Sequence, residues 1–284
     1  MSSRKTLVPW FIVRVYVGKQ VKNNTIPLAR ERRLEILAQL NEQGSVRVTS
    51  LAENYQVAEE TIRRDLDKLH GEGRLARTHG GALSVRNDRF DLPVSVRKNR
   101  RIEEKQAIAK CALQYIQPNE VIALDASTSA LELACLLPDM PLTVITNSID
   151  AARLLLDRPK LQVISTGGQL NPQSACFLGS LAEATLRQFS IEKAFISCKG
   201  IDMARGYSEA STEHASLKRL LMKLADQTIL LADHSKFGVR SMVYSGELQD
   251  VAHVVTDEHT DGEYLEALAD AGVKAEVAAN GSSA

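Results

Sequence analysis

Between residues 30 and 85 the apolar positions fall into three helical stripes followed by two short alternating runs. In 30–43, Leu34, Leu37 and Ala38 share a face that Ile36 and Leu40 widen, and Gly44 stops the pattern. Residues 45–48 are short and rich in strand formers. Thr49 offers a hydroxyl N-cap to a second helix carrying Leu51, Ala52 and Tyr55, and Gln56 and Val57 turn the chain. A third helix is predicted from Glu59 to about His70, with Ile62, Leu66 and Leu69 at i, i+4 and i+7 and Gly71 and Gly73 ending it. Residues 74–85 predict a β-hairpin turning at Gly80 and Gly81.

Residues 86–101 are polar, basic and interrupted by Pro93, the composition of an interdomain linker. A helix is predicted over 102–116, closed by Pro118 and Asn119. From Val121 onward short apolar runs at 121–124, 142–145, 162–165, 193–197, 228–232, 251–256 and 273–277 alternate with helical stretches near 130–137, 148–156, 181–188, 215–225 and 261–271. That alternation predicts parallel strands with helices on both faces, and ligands bind such sheets at the carboxyl ends of their strands. The expected fold is therefore α+β and multidomain: three helices and a hairpin forming a winged helix-turn-helix over 30–85, a linker over 86–101, and an α/β, mostly parallel-sheet domain over 102–279, with a short tail over 280–284.

Composition adds one strong feature. The net charge is zero, yet residues 1–101 hold 20 lysines and arginines against 11 acids, and residues 102–284 hold 15 against 24. Only the front part is suited to a polyanion. No internal repeat and no disordered composition is present. The apolar run 7–17 is too short for a membrane span, is broken by Arg14 and lacks a small-residue cleavage site; Asn23, Asn24 and Pro27 then follow. Residues 1–29 are read as a flexible extension, or as lying upstream of the natural start. Cys111, Cys135, Cys176 and Cys198 form no C-x-x-C pair and sit beside apolar residues, as expected for buried, reduced thiols in the cytoplasm. His253, Asp257 and His259 are read as a surface loop; no metal and no cofactor is expected.

In a winged helix-turn-helix the third helix enters the major groove. Opposite its apolar stripe lie Thr61, Arg64, Asp65 and Lys68, flanked by Glu60 and Arg63. Arginine can read guanine bidentately and lysine can meet phosphate. Thr49 at the head of the second helix, and Arg77 and His79 in the wing, complete the expected contacts to a double-stranded operator. A lone amphipathic helix of this kind is usually just a solvated face. The order helix, turn, helix, wing, with TIRRDL in the third helix and HGGA in the hairpin, distinguishes this one. Residues 30–83 resemble the DNA-binding domain of the DeoR/GlpR family of bacterial sugar-metabolism regulators. One departure is Ala58, where the family has a serine capping the third helix. Losing such a cap costs about 1 kcal/mol, which Glu59 and Glu60 offset in part through the helix dipole.

Polar groups recur at the strand ends of the second domain: Asp125, Ser127, Thr128 and Ser129; Thr146 and Asn147; Gly167 and Gly168; Lys199 and Asp202; Asp233 and Lys236. Hydroxyls and N–H groups at a helix N-terminus suit a phosphate. Each cluster alone is more often a cap or turn; their recurrence at one sheet edge points to a shared site. Lys218 and Arg219 are read as a solvated helix face. The segments VIALDASTS, VITNS, STGGQL, ISCKGID and LLADHSKFG extend the family resemblance through this domain, and within the family they resemble the L-fucose operon activators. The resemblance implies a sensor related to ribose-5-phosphate isomerase, a phosphorylated-sugar effector such as L-fuculose 1-phosphate, and a homo-oligomer. The rival reading is an isomerase-like enzyme fused to a DNA-binding domain. Against it, Asp202 is kept but the isomerase's catalytic acid–base positions align with Lys199, Ser208 and Leu217. The sequence is therefore read as a non-enzymatic, cytoplasmic regulator with no catalytic residues.

Overall fold

The computed structural model describes residues 29–43, 45–72, 74–84 and 93–279. The extension before residue 29, the stops at Gly44 and Gly73, the linker up to residue 92 and the tail from residue 280 lie outside the described residues.

The N-terminal unit consists of α1 (Ala29–Gln43), β1 (Ser45–Arg47), α2 (Val48–Tyr55), α3 (Glu59–Gly71), β2 (Leu75–Thr78) and β3 (Gly81–Ser84). Its core joins Ile36, Leu37 and Leu40 of α1 to Leu51 of α2, to Ile62, Leu66 and Leu69 of α3, and to Leu75 and Ala82 of the wing. The buried stripe of α1 is rotated from the expected one: Leu34 and Ala38 are exposed, and Arg32 is buried in their place. The cause is Asp65. Expected on the outer face of α3, it is buried, accepting from Arg32 Nε at 2.6 Å and Arg33 at 3.3 Å, which ties α1 to α3. Thr49 is not an N-cap; α2 starts at Val48, two residues earlier than a Thr49 cap implies, and Thr49 is exposed in its first turn. Gln56, in the left-handed region at φ +51°, ends α2 by donating its N–H to the last turn. Ala58 precedes α3 without any side-chain cap, and Glu59 and Glu60 occupy the first turn.

The wing turns at His79 and Gly80, one residue earlier than expected, because Gly81 already belongs to β3. β3 lies between β2 and β1, antiparallel to both. A Cβ on Gly81 would stand 1.9 Å from the Val46 carbonyl oxygen, so only glycine allows this approach.

Residues 93–101, inside the stretch expected to be a linker, carry α4 (Val94–Lys98). Then follow α5 (Ile102–Ala112), β4 (Val121–Leu124), α6 (Thr128–Leu136), β5 (Leu142–Thr146), α7 (Ile149–Leu154), β6 (Leu161–Ser165), β7 (Gln169–Asn171), β8 (Cys176–Leu178), α8 (Ser180–Leu186), β9 (Ile191–Ile196), β10 (Gly200–Asp202), β11 (Gly206–Glu209), α9 (Thr212–Leu224), β12 (Ala225–Leu231), β13 (Val243–Gly246), β14 (His253–Asp257), α10 (Gly262–Asp270) and β15 (Lys274–Ala278). Seven strands form one parallel sheet in the order β15-β14-β12-β9-β4-β5-β6. Apolar residues of α5 and α6 pack with one face of it (Ile108, Leu133), and those of α8, α9 and α10 with the other (Leu186, Leu221, Leu268). Both faces being covered explains why the strands read as continuous apolar runs. The chain moves outward from β4 to β5 and β6, then returns to place β9 on the other side of β4. That reversal opens a crevice at the carboxyl ends of β4 and β9, the usual ligand position in an open α/β sheet. The hairpin β7–β8 and the antiparallel sheet β10-β11-β13 border the same end.

All four cysteines are free thiols; Cys176 and Cys198 are buried, Cys111 is half-buried, and Cys135 is exposed, contrary to expectation. Among the described residues no helix is long and apolar enough to cross a membrane, and no His/Cys/Asp/Glu cluster could hold a metal.

Candidate functional site

Glu60, Arg63, Arg64 and Lys68 are exposed along α3, with Thr61 half-buried beside them and Thr49 exposed on α2. The arginines are paired within the helix: Arg63 donates to Glu59 at 2.8 Å, and Arg64 lies 3.4 Å from Glu60. These i,i+4 pairs hold both guanidinium groups extended along the outer face, at little energy because they are solvated. Arg77 is drawn back instead, donating to Asp67 at 2.8 Å and to the Gly81 carbonyl at 3.0 Å, so it braces the wing against α3. His79 is exposed at the wing's tip.

The second site is the crevice between β4 and β9. Asp125, the residue after β4, accepts from Ser127 N–H at 2.9 Å and from Ser197 N–H, just beyond β9, at 3.0 Å. Its carboxylate thus links the two strand ends and shapes the loop into α6. Ser127 caps α6, accepting from Ala130 N–H at 3.1 Å. Ser127, Thr128 and Ser129, at the start of α6, line the crevice, and hydroxyl residues at a helix N-terminus suit an anion.

Beneath lies Lys218, buried rather than solvated as the sequence reading had it. Its ammonium donates to Glu209 at 2.5 Å and to the Ser197 carbonyl at 2.5 Å, and lies 3.2 Å from Asp125. Burial alone would lower its pKa; the Glu209 and Asp125 carboxylates outweigh that and raise it above the ordinary lysine value. On the far side Asp233 caps a turn through Ser235 and faces Arg101 at 3.6 Å. Burial would raise the Asp233 pKa, but Lys236, the Ser235 hydroxyl, Arg101 and Lys105 hold it below the usual value. Each carboxylate in the cavity is therefore matched to a cation already inside it. Seven cationic side chains line the cavity against three acidic ones, leaving an excess of positive charge.

Asn147 adds a neutral feature. Its amide nitrogen donates to the Phe177 carbonyl at 3.0 Å, which fixes the amide's orientation. Its oxygen is buried out of reach of solvent and has no hydrogen-bond partner among the described residues, a costly arrangement for an acceptor.

Of the positions read from the sequence, the structure brings Asp125, Ser127, Thr128, Ser129, Asn147, Lys199, Asp233 and Lys236 together around this cavity. Thr146, Gly167, Gly168 and Asp202 are not among its lining residues. The Thr146 hydroxyl bonds the Leu124 carbonyl and the Ser148 N–H, closing a strand–helix turn. Gly167 and Gly168 turn the chain at φ +59° and +117°, and a Cβ on Gly168 would stand 2.8 Å from the Leu178 carbonyl oxygen. Asp202 faces the small sheet, held by Arg240, Tyr244 and the Ala204 N–H. Ser208 is buried, and its hydroxyl donates to the Gly200 carbonyl. Sequence reasoning missed Arg97, Arg100, Arg101, Lys105, Glu209, His214 and Lys218. A signal existed for the arginines: the run of basic residues at 97–101 falls in the stretch read as an interdomain linker.

Comparison with known proteins agrees with this architecture. Residues 32–88 match the DeoR-like helix-turn-helix domain, and residues 100–258 match the DeoR C terminal sensor domain. The chain is 43% identical over 247 residues to an uncharacterized HTH-type transcriptional regulator, YulB, of Bacillus subtilis, covering 87% of this chain and 96% of that one. It is 37% identical to the L-fucose operon activator of Haemophilus influenzae, covering 78% and 89%. Ribose 5-phosphate isomerase A of Methanocaldococcus jannaschii aligns over 47% of this chain and 53% of its own at 15% identity and a TM-score of 0.35, too distant for any argument to rest on it. With both domain models matched in order and relatives alike over nearly their whole length, the chain belongs to the DeoR family of DNA-binding transcriptional regulators.

Proposed function

We propose that this regulator reads a double-stranded operator through α3 and the wing, and that its DNA binding is governed by a phosphorylated sugar held in the β4/β9 crevice. The observation that carries the ligand class is the cavity itself. A hydroxyl-rich helix start and an excess of cations suit a phosphate, and Asn147 adds a neutral amide residue to the lining. The name of the H. influenzae relative supports a sugar operon as the target.

The same cavity favours binding over catalysis. Aldose–ketose isomerisation needs a carboxylate free to take a proton from carbon. Asp125 and Glu209 share Lys218, and Asp233 is held by Ser235 and Arg101. The proposed protein is a cytoplasmic homo-oligomer whose several DNA-binding domains engage one operator, since a single head buries modest DNA surface. The proposed division is a DNA-binding domain over 30–85 and a sensor over 102–279, joined by 86–101.

The test is thermal unfolding against a panel of sugar phosphates, L-fuculose 1-phosphate included, each beside its unphosphorylated sugar. A ligand at about 100 times its Kd stabilises by about 2.7 kcal/mol. A shift with one sugar phosphate and none with its free sugar supports the sensor reading. Silence across the panel removes it, and turnover of any member removes the non-enzymatic reading.

A further inference from the structure

The cations of the cavity come from two sources. Lys105, Lys199, Lys218 and Lys236 belong to the sheet domain, on α5, at strand ends and on α9. Arg97, Arg100 and Arg101 come from the short segment that leads in from the DNA-binding domain, and they close the cavity from outside the sheet.

That segment is docked at defined points. Val94 N–H donates to the Gln173 carbonyl in the β7–β8 turn at 2.9 Å, Val96 is buried, and Lys98 pairs with Asp150 at 3.0 Å. Its last carbonyls, those of Arg97 and Arg100, both accept from the Lys105 ammonium, which satisfies them as a helix C-cap would. Arg101 sits at φ +49°, a conformation that non-glycine residues seldom hold without support. Its support is the contact with Asp233. Lys105 and Lys236 also act on that one carboxylate, so positive charge is crowded on this wall. A dianion relieves such crowding only if the wall stays in place.

We propose that Arg97, Arg100 and Arg101 are anion-binding residues, so that a phosphate in the crevice fastens the segment carrying the DNA-binding domain onto the sensor. This rests on the anion site proposed above and adds how its occupancy is felt. Ligand that bridges the α6 start and the arginine wall contacts the sensor and the connection at once. Its differential affinity for the docked segment is what shifts the population. Ser84, the last wing residue, is nine positions before Pro93, so the restraint is applied close to the head.

The experiment uses the full chain with inorganic phosphate as probe, sodium chloride at equal ionic strength as control, and Arg97→Gln, Arg100→Gln and Arg101→Gln beside Lys110→Gln. Lys110→Gln removes one positive charge from an exposed position on α5, away from the cavity and from the docked segment. Two readouts are taken: phosphate affinity by calorimetry, and hydrogen exchange of amides 93–101. Support is phosphate-dependent protection of 93–101, with affinity falling roughly tenfold in the arginine variants, as expected on losing a charged donor to phosphate, and unchanged in Lys110→Gln. If phosphate binds but leaves 93–101 unprotected, and the arginine variants bind like Lys110→Gln, the arginine wall is refuted and the anion site stands. If phosphate does not bind at all, both fall.

Discussion

Lys218→Met is the sharpest test of how the crevice is held together. The substitution keeps most of the side chain's volume and deletes an ammonium that donates to Glu209 and the Ser197 carbonyl and lies beside Asp125. Two buried carboxylates then face each other. Their oxygens, each near the same nitrogen, are at most about 6 Å apart, a repulsion of about 3 kcal/mol at an effective dielectric of about 20. Adding the unsatisfied Ser197 carbonyl, the expected loss is about 3–5 kcal/mol at pH 7, the usual cost of removing one partner from a buried ion pair. The wild-type contribution follows the raised pKa of Lys218: it is fully present below the unfolded lysine value of about 10.4 and is lost only as pH climbs beyond it. Urea unfolding followed by circular dichroism at pH 7, where that contribution is complete, reads the loss. A loss below about 1 kcal/mol at pH 7 would mean that Lys218 is solvated after all, and that the crevice floor is misread.

Three further outcomes are expected. Arg64→Ala should lower specific operator affinity by about 1–3 kcal/mol and relax base preference at one position, checked by selection from randomised operators; unchanged selectivity would remove its base-reading role. Asp65→Ala should act differently, removing the carboxylate that faces the buried Arg32, costing about 3–5 kcal/mol of the DNA-binding domain's stability and leaving base preference unchanged in the same selection. Lys105 gives a pH signature: burial first, then Lys236 and Arg97, lower its pKa to about 8 against the pull of Asp233 and Glu132. The unfolded chain therefore holds more protons than the folded one between about pH 8 and ~10.4, so stability rises with pH through that window. A bound dianion should raise this pKa, so ligand binding at pH 8 takes up protons; identical calorimetric heats in buffers of different ionisation enthalpy would exclude it.

The long repeating signals were legible. Three helices, a wing and seven parallel strands follow from apolar spacing, because helices need only one apolar face and doubly covered strands are apolar throughout. Several short elements of the second domain were not legible: β7, β8 and β10 are three-residue arms of tight hairpins too short to show an alternation, β11 is fixed in part by pairing with the distant β13, and α4 is held by docking on Gln173 and Asp150. The crevice was half legible for the same reason. Ser127, Thr128 and Ser129 announce themselves by following a strand and opening a helix. Lys218 is in a helix whose other charged residues face water, and only the folded sheet places it under Asp125. Asp65 misled in the opposite direction, since its spacing four residues after Thr61 reads as the outer face until Arg32 is brought beside it.

The pairing along α3 has a further consequence. Within Glu59–Gly71 three basic side chains stand against four acidic ones, so the helix proposed to enter the groove would bring no net positive charge with it. Affinity for arbitrary DNA comes from counterions displaced as cations neutralise phosphates. On the proposed reading, a helix whose arginines must leave Glu59 and Glu60 to reach bases would displace few. Such a head would spend little time on the wrong sequence, and occupancy of the right one would be decided by how many heads are presented together. A switch acting on the connection between head and sensor would then have the most to gain, because it would control that joint presentation.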